Sequence, residues 1–275
     1  MLKDFFSCCL MLFLVLGCVA AECRPSHNPS RFVILICSYN NVKYVEENIQ
    51  SALNQKYPFF RIIYVDDGST DGTSEKLLNF LENHPKKEKV TVIRNEKNRG
   101  APLPNHYETI HNRIEDDEVV VLLDGDDYLA HNHVLNCLDR VYSSKRDIWL
   151  TYGQFYFIHS QTIGWCCQYP RSVVESNGFR ELVHMPSHLK TFYAWLFKKI
   201  RKEDLLYKGD FFKMTGDLAI MLPMIEMARN HHLFIPNILY LYNDGNELSE
   251  HQKSFQKQME LARYIRSLPK YDPLD

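Results

Sequence analysis

Three short polar clusters hold most of the side chains that can do chemistry in this chain. They are Ser38-Tyr39-Asn40-Asn41, Asp66-Asp67-Gly68-Ser69-Thr70-Asp71-Gly72-Thr73 and Asp124-Gly125-Asp126-Asp127. Together they offer hydroxyls, amides and a ring for a base and a ribose, and carboxylates in Asp-x-Asp spacing. Carboxylates alone repel a diphosphate, so a phosphate-bearing ligand here requires a divalent cation between them. Magnesium or manganese fits, because both favour carboxylate and phosphate oxygens. Each cluster also has a plain structural reading. The second can be turn residues before a helix capped by Asp71 or Thr73, and the third a solvated turn. An EF-hand is excluded, since counting its loop from Asp67 puts Leu78 at the bidentate Glu position. What argues against coincidence is that every cluster follows an apolar run of strand character.

Those runs define the scaffold. Arg31 to Ser38 is continuously apolar and β-branched, a strand covered on both faces. Tyr44 to Asn54 has helical spacing at Val45, Ile49, Ala52 and Leu53. Ile62 to Val65 is a second strand, Thr73 to Leu81 a second helix, Val90 to Ile93 a third strand, Leu103 to about Asn112 a weak helix, and Val119 to Leu123 a fourth strand. Such alternation predicts an α/β fold with a mostly parallel central sheet and helices on both faces. Ligands of such sheets bind at the carboxyl ends of the strands, which is where the clusters fall.

At these residues the chain resembles family 2 glycosyltransferases. Ser38-Tyr39-Asn40, Val65 to Thr73 and Leu123 to Asp127 look like successive motifs of that family, and the resemblance runs from about Arg31 to Tyr242. It implies a GT-A fold, a nucleoside-diphosphate sugar donor (a UDP-sugar favoured), a divalent cation, Mn2+ or Mg2+, and inversion at the anomeric carbon. By resemblance, Ser38, Tyr39, Asn40 and Asp66 or Asp67 hold the base. Asp126 is a metal ligand, and Asp124 lies nearer the ribose while completing the pair. Asn98, Gly100 and Asn105 match a segment lining the nucleotide. Where family members often have Ala-Arg before that Asn, this chain has Leu103-Pro104, so Arg99 is the remaining candidate for a diphosphate contact.

The second half is expected to supply the acceptor site. An inverting transfer needs a carboxylate to take the acceptor's proton, and Asp217, in Thr215-Gly216-Asp217-Leu218, is the candidate base. Helix capping is its structural alternative, and the usual acidic partner is Gly216 here. Leu218 to Arg229 reads as a helix despite Pro223, Leu239 to Tyr242 as a last strand, and Glu250 to Ser267 as a terminal helix. His251 or Asn246 is expected to close the metal site, and His184 or His188 to face a glycan, lipid or protein acceptor. Two rivals share these residues. A nucleotidyltransferase would want a Gly-rich loop after the first strand, and Ser38 to Lys43 contains no Gly. A non-catalytic nucleotide-sugar-binding scaffold would not need Asp124, Asp126 and Asp217 together.

The 275 residues suit one domain with a modest extension, and a net charge of −2 gives no nucleic-acid footprint. Residues 1–29 stand apart: Lys3 precedes an apolar run from Phe5 to about Ala21, read as a signal peptide or membrane anchor plus linker. Val19-Ala20-Ala21 offers a cleavage site and Leu14 to Cys18 an imperfect lipoprotein box. This predicts a secretory or membrane-associated location. The remainder, 30–275, is a GT-A domain with a nucleotide-sugar half (30–127), an acceptor half (128–250) and a C-terminal helix (251–275). Cys37 and Cys137 read as core, and adjacent Cys166-Cys167 lack the spacing of a zinc site, so neither structural zinc nor a disulfide framework is expected.

Overall fold

In the computed structural model, which describes residues 29–144, 146–182, 186–246 and 255–274, the chain begins as the sequence predicts. β1 (Phe32–Ser38), α1 (Val45–Leu53), β2 (Phe60–Asp66), α2 (Thr73–Glu82), β3 (Val90–Arg94), α3 (Pro102–Arg113) and β4 (Val119–Asp124) alternate regularly. The second half is less regular. It runs β5 (Tyr128–Leu129), α4 (Val134–Tyr142), β6 (Leu150–Phe157), β7 (Thr162–Ile163), α5 (Arg171–Glu175), β8 (Thr191–Tyr193) and α6 (Ala194–Lys198). Then follow the small hairpin β9 (Leu206–Tyr207) and β10 (Asp210–Phe211), α7 (Gly216–Ala228), β11 (His232–Tyr242) and α8 (Phe255–Ser267).

The main sheet has strand order β3-β2-β1-β4-β8-β6-β11-β5, with β7 paired to β6. β3, β2, β1 and β4 are mutually parallel. β8 then runs antiparallel to both β4 and β6, β11 is parallel to β6, and β5 and β7 are antiparallel additions. The sheet is therefore mixed, which corrects the mostly parallel expectation. The cause is β8: it enters between the two parallel groups from a loop rather than from a helical crossover.

Helices do cover both faces. Alternate residues of β1 point to opposite cores: Val33, Leu35 and Cys37 belong to the one that includes α3, α6, α7 and α8, while Phe32, Ile34 and Ile36 belong to the one that includes α1, α2 and α4. α7 is apolar almost all round, because Leu218 to Ala228 is buried throughout, and Pro223 is accommodated inside it. Within α7, Glu226 pairs with Arg180, and Arg180 also donates to the Ile265 and Leu268 carbonyls, pinning the end of α8. β11 starts seven residues before the predicted Leu239, and β6 and β8 lack a sequence-level expectation altogether. Cys37 and Cys166 are buried and Cys167 is exposed. The N-terminal apolar run, His184 and His251 lie outside the described residues. Among the described residues no helix is long and apolar enough to cross a membrane.

Candidate functional site

Parallel register brings the polar clusters level. Ser38 pairs with Asp66, Cys37 with Asp124, and Asp66 with Arg94, so the carboxyl ends of β1, β2, β4 and β3 form one rim. The loops leaving that rim are laced to one another. Asn40, at φ 53°, donates its N–H to Ser69 Oγ at 2.9 Å and accepts from the Thr70 N–H at 2.9 Å. Asn41 donates to Thr73 Oγ1 at 2.9 Å and to Ser38 Oγ at 3.1 Å. These bonds leave the Tyr39 ring 41 % exposed on the rim.

The acidic pair after β2 divides its work. Asp66 is fully buried, and its oxygens accept the Ser69 N–H and the Ser74 hydroxyl. It holds the turn and is closed to a base; Asp67 is buried as well, with one bond on each oxygen. Asp67 accepts Asn95 Nδ2 at 2.7 Å and the Arg99 N–H at 3.0 Å. Asn95 also donates to Asn105 Oδ1 at 2.8 Å, while Asn105 Nδ2, buried, has no partner among the described residues. Asn98 and Gly100 sit in the turn against this loop, the Gly100 N–H bonding the Asn98 side chain. A Cβ on Gly68 would lie 2.8 Å from the Asn98 nitrogen, and Gly68 has φ +74°, so only glycine suits that approach. The helix cap is neither of the expected residues, Asp71 or Thr73, but Gly72 in the left-handed region; Asp71, one residue earlier, accepts the Thr73 and Val42 N–H groups, each at 3.0 Å. The Arg99 guanidinium pairs with Glu108 on the outer face of α3, so it is not turned toward the rim as the diphosphate expectation required.

The turn after β4 is packed tightly on β1: a Cβ on Gly125 would be 2.6 Å from Ser38 Cβ and 2.8 Å from Asn41 Nδ2. Asn48 ties the turn from α1, donating to the Asp124 and Asp127 carbonyls at 2.8 and 2.7 Å. Of the three carboxylates, Asp127 is buried and engaged on both oxygens, by Tyr240 Oη at 2.6 Å and the Asn243 N–H at 2.7 Å. Asp126 accepts Asn246 Nδ2 at 2.6 Å on one oxygen. Burial pushes the Asp124 carboxyl up to about 6 against the pull of Lys190, with Asp217 and Asp126 adding to it. Burial also raises Asp126. Oxygen donors short of positive charge are the donor set of a hard divalent cation. His188 belongs to the same place: one ligand atom each of Asp124, Asp127 and His188 lie within 4.8 Å of one another. Asp127 is already committed to Tyr240 and Asn243, which leaves Asp124 and His188 of that group; the expected ligand Asp126 is not one of the three.

Asp217 lies across from this turn. Thr215, in the left-handed region at φ 59°, starts α7, and Asp217 sits in its first turn where the helix dipole favours negative charge. Lys190, just before β8 and 1 % exposed, donates to Asp217 Oδ2 at 2.5 Å. Burial would raise the Asp217 carboxyl, but the Lys190 ammonium, followed by His188 and His106, outweighs it and holds the group at about 2. Asp217 remains 40 % exposed, so it is ionised, aimed and reachable. His106 on α3 is driven to about 4 by burial and stays neutral near pH 7. Lys190, His106, Asn95, Tyr240 and Asn243 carry no local motif. The one available signal is a lysine within a mostly apolar and aromatic stretch, Leu189 to Ala194.

A mixed α/β sheet with laced nucleotide-type loops and an Asp-x-Asp turn at its rim is a GT-A-type arrangement. The chain belongs to glycosyl transferase family 2, whose family model it matches over residues 33–205. It is 33 % identical over 124 residues to chondroitin synthase of Escherichia coli, 42 % of this chain and 17 % of that protein. Its fold resembles Staphylococcus aureus TarS 1-349 in complex with UDP-GlcNAc, with TM-score 0.59 and 18 % identity, covering 86 % of this chain and 65 % of that one. It also resembles the mannosyltransferase PcManGT from Pyrobaculum calidifontis in complex with GDP-Man and Mn2+, with TM-score 0.59 and 18 % identity over 90 % of this chain and 67 % of that one. The chain thus spans less than two thirds of chondroitin synthase and of the TarS fragment, and likeness at this identity establishes the fold.

Proposed function

We propose that this chain transfers a sugar from a nucleoside-diphosphate sugar, a UDP-sugar by preference, to a glycan, lipid or protein hydroxyl with inversion at the anomeric carbon. The observation that carries this reading is the juxtaposition of an open, ionised Asp217 with the Asp124-x-Asp126 turn on the rim of the nucleotide-type loops. The donors bound by the TarS fragment and PcManGT, UDP-GlcNAc and GDP-Man, support the donor class.

Each residue then has a task. The exposed Tyr39 ring stacks on the base, while Asp67 holds Asn95 and the Arg99 backbone beside the unpartnered Asn105 amide, which bonds the base or its ribose. Asp124 and Asp126 hold a divalent cation, Mn2+ or Mg2+, which when bound neutralises charge on the departing diphosphate. Asp217, oriented by Lys190, accepts the hydroxyl proton as the acceptor oxygen bonds the anomeric carbon on the face opposite the leaving group. The apolar run near the N-terminus would deliver the enzyme to the secretory pathway or a membrane.

Calorimetry with UDP, GDP and their sugars, with and without Mn2+, tests this. Mn2+-dependent binding of one diphosphate, lost in Asp126→Ala with the fold intact, is the expected result. Folded protein that binds none of them, or Asp126→Ala that binds at full strength, rejects it.

A further inference from the structure

The hairpin of β6 and β7 carries an aromatic surface with no part in the donor site. Trp165, just after β7, is 52 % exposed, and its neighbour Ile163 is exposed too. Gly164 permits this placement: a Cβ there would lie 2.4 Å from Phe155 Cε1, so the backbone runs flat against that ring. The indole stands edge-on to Phe155, with centroids 5.1 Å apart at 89°, and is flanked by Phe157 at 5.9 Å. Tyr242 holds Phe157 from behind at 5.4 Å. The indole is therefore fixed on its inner side and open on its outer one.

This plate is close to the chemistry. Phe155 is one ring contact, 5.6 Å, from His188, whose imidazole lies beside the Asp124 and Asp127 carboxylates. Two ring contacts separate Trp165 from the Asp-x-Asp turn, within reach of a short oligosaccharide. A rigid indole held by two phenylalanine rings and open on one side matches a sugar ring, which offers an apolar C–H face for stacking.

We infer that Trp165, backed by Phe155 and Phe157, binds a saccharide ring of the acceptor. The inference rests on the transferase reading and narrows its acceptor class from glycan, lipid or protein to glycan.

The test is tryptophan fluorescence and calorimetry on the full chain with UDP and Mn2+ present. It uses soluble tetrasaccharides of glucose, N-acetylglucosamine, galactose or glucuronate as probes. At least one should perturb the indole emission saturably. Its affinity should fall about tenfold in Trp165→Ala and stay within about threefold in Trp165→Phe, with UDP affinity unchanged in both. If Trp165→Ala fails to fold, Trp165→Gln takes its place. Wild-type protein that binds UDP but no probe, or a Trp165→Ala variant with wild-type saccharide affinity, overturns the plate. Failure of wild-type protein to bind any nucleoside diphosphate strikes the transferase reading instead, because saccharide binding is read independently.

Discussion

Replacing Asp124 by Asn should stabilise the metal-free protein while destroying its response to manganese. Burial pushes the Asp124 carboxyl from 3.8 to about 6, with Asp217 and Asp126 adding to the effect and Lys190 opposing it. The folded state thus binds this proton more tightly than the unfolded chain. Stability is undiminished below the unfolded value, falls as pH rises from 3.8 to about 6, and stays reduced above. The rise from 3.8 to about 6 corresponds to ~3 kcal/mol. The carboxyl is only partly buried, so solvent screening reduces that to about 1–2 kcal/mol. Asparagine keeps the shape and cannot ionise, so at pH 7.5 the variant should melt about 3–6 °C higher than wild type. The difference should shrink toward pH 4. Adding Mn2+ should raise the wild-type midpoint by mass action and leave the variant unmoved. Thermal unfolding followed by circular dichroism at both pH values, with and without Mn2+, measures all four conditions. A variant less stable than wild type at pH 7.5, or a wild-type midpoint indifferent to Mn2+, would refute the reasoning.

Asp217→Asn keeps the shape of the proposed base and removes its charge. Transfer should fall by about 10²–10³ while donor affinity holds within about twofold; steady-state kinetics beside calorimetry separates the two, and equal losses would assign Asp217 a purely structural role. Gly125→Ala places a methyl group 2.6 Å from Ser38 Cβ, forcing the Asp-x-Asp turn off β1. Donor Kd should weaken at least about tenfold, ~1.4 kcal/mol, and an unchanged Kd would show that the turn does not set the donor site. Arg180→Met leaves Glu226 buried without its partner and should cost ~3–5 kcal/mol in urea unfolding. Arg180→Met combined with Glu226→Leu should recover most of it, unless the lost bonds to the Ile265 and Leu268 carbonyls dominate.

The nucleotide-type half was legible because its signals are local. β1 and β4 are nearly unbroken apolar runs and β2 holds one from Ile62 to Val65, as in strands buried on both faces, and each cluster follows its strand directly in the chain. The sequence could place Asp66 and Asp67 at a strand end but could not divide their roles. That division depends on Ser74 and Ser69 closing around Asp66, and on Asn95 arriving from β3 to meet Asp67. The acceptor half was poorly legible for the same reason reversed. β8 is three residues long, β6 is interrupted by Gly153 and Gln154, and β11 contains Pro236. Their strand character comes from pairing with one another, and no period within any of them announces it.

The sequence by itself determined the order of strands and helices up to Asp124, the burial of β1 and the placement of carboxylates at the rim. These follow from hydrophobic periodicity and turn chemistry, which act between near neighbours. Only the tertiary structure decided that β8 enters antiparallel and turns a parallel sheet into a mixed one. It alone decided that Asp127 is committed to Tyr240 and Asn243, and that a buried Lys190 aims Asp217. Those outcomes join residues 27 to 116 positions apart. Such contacts form only when a folded core excludes water from between the charges, and no local pattern in the chain encodes them.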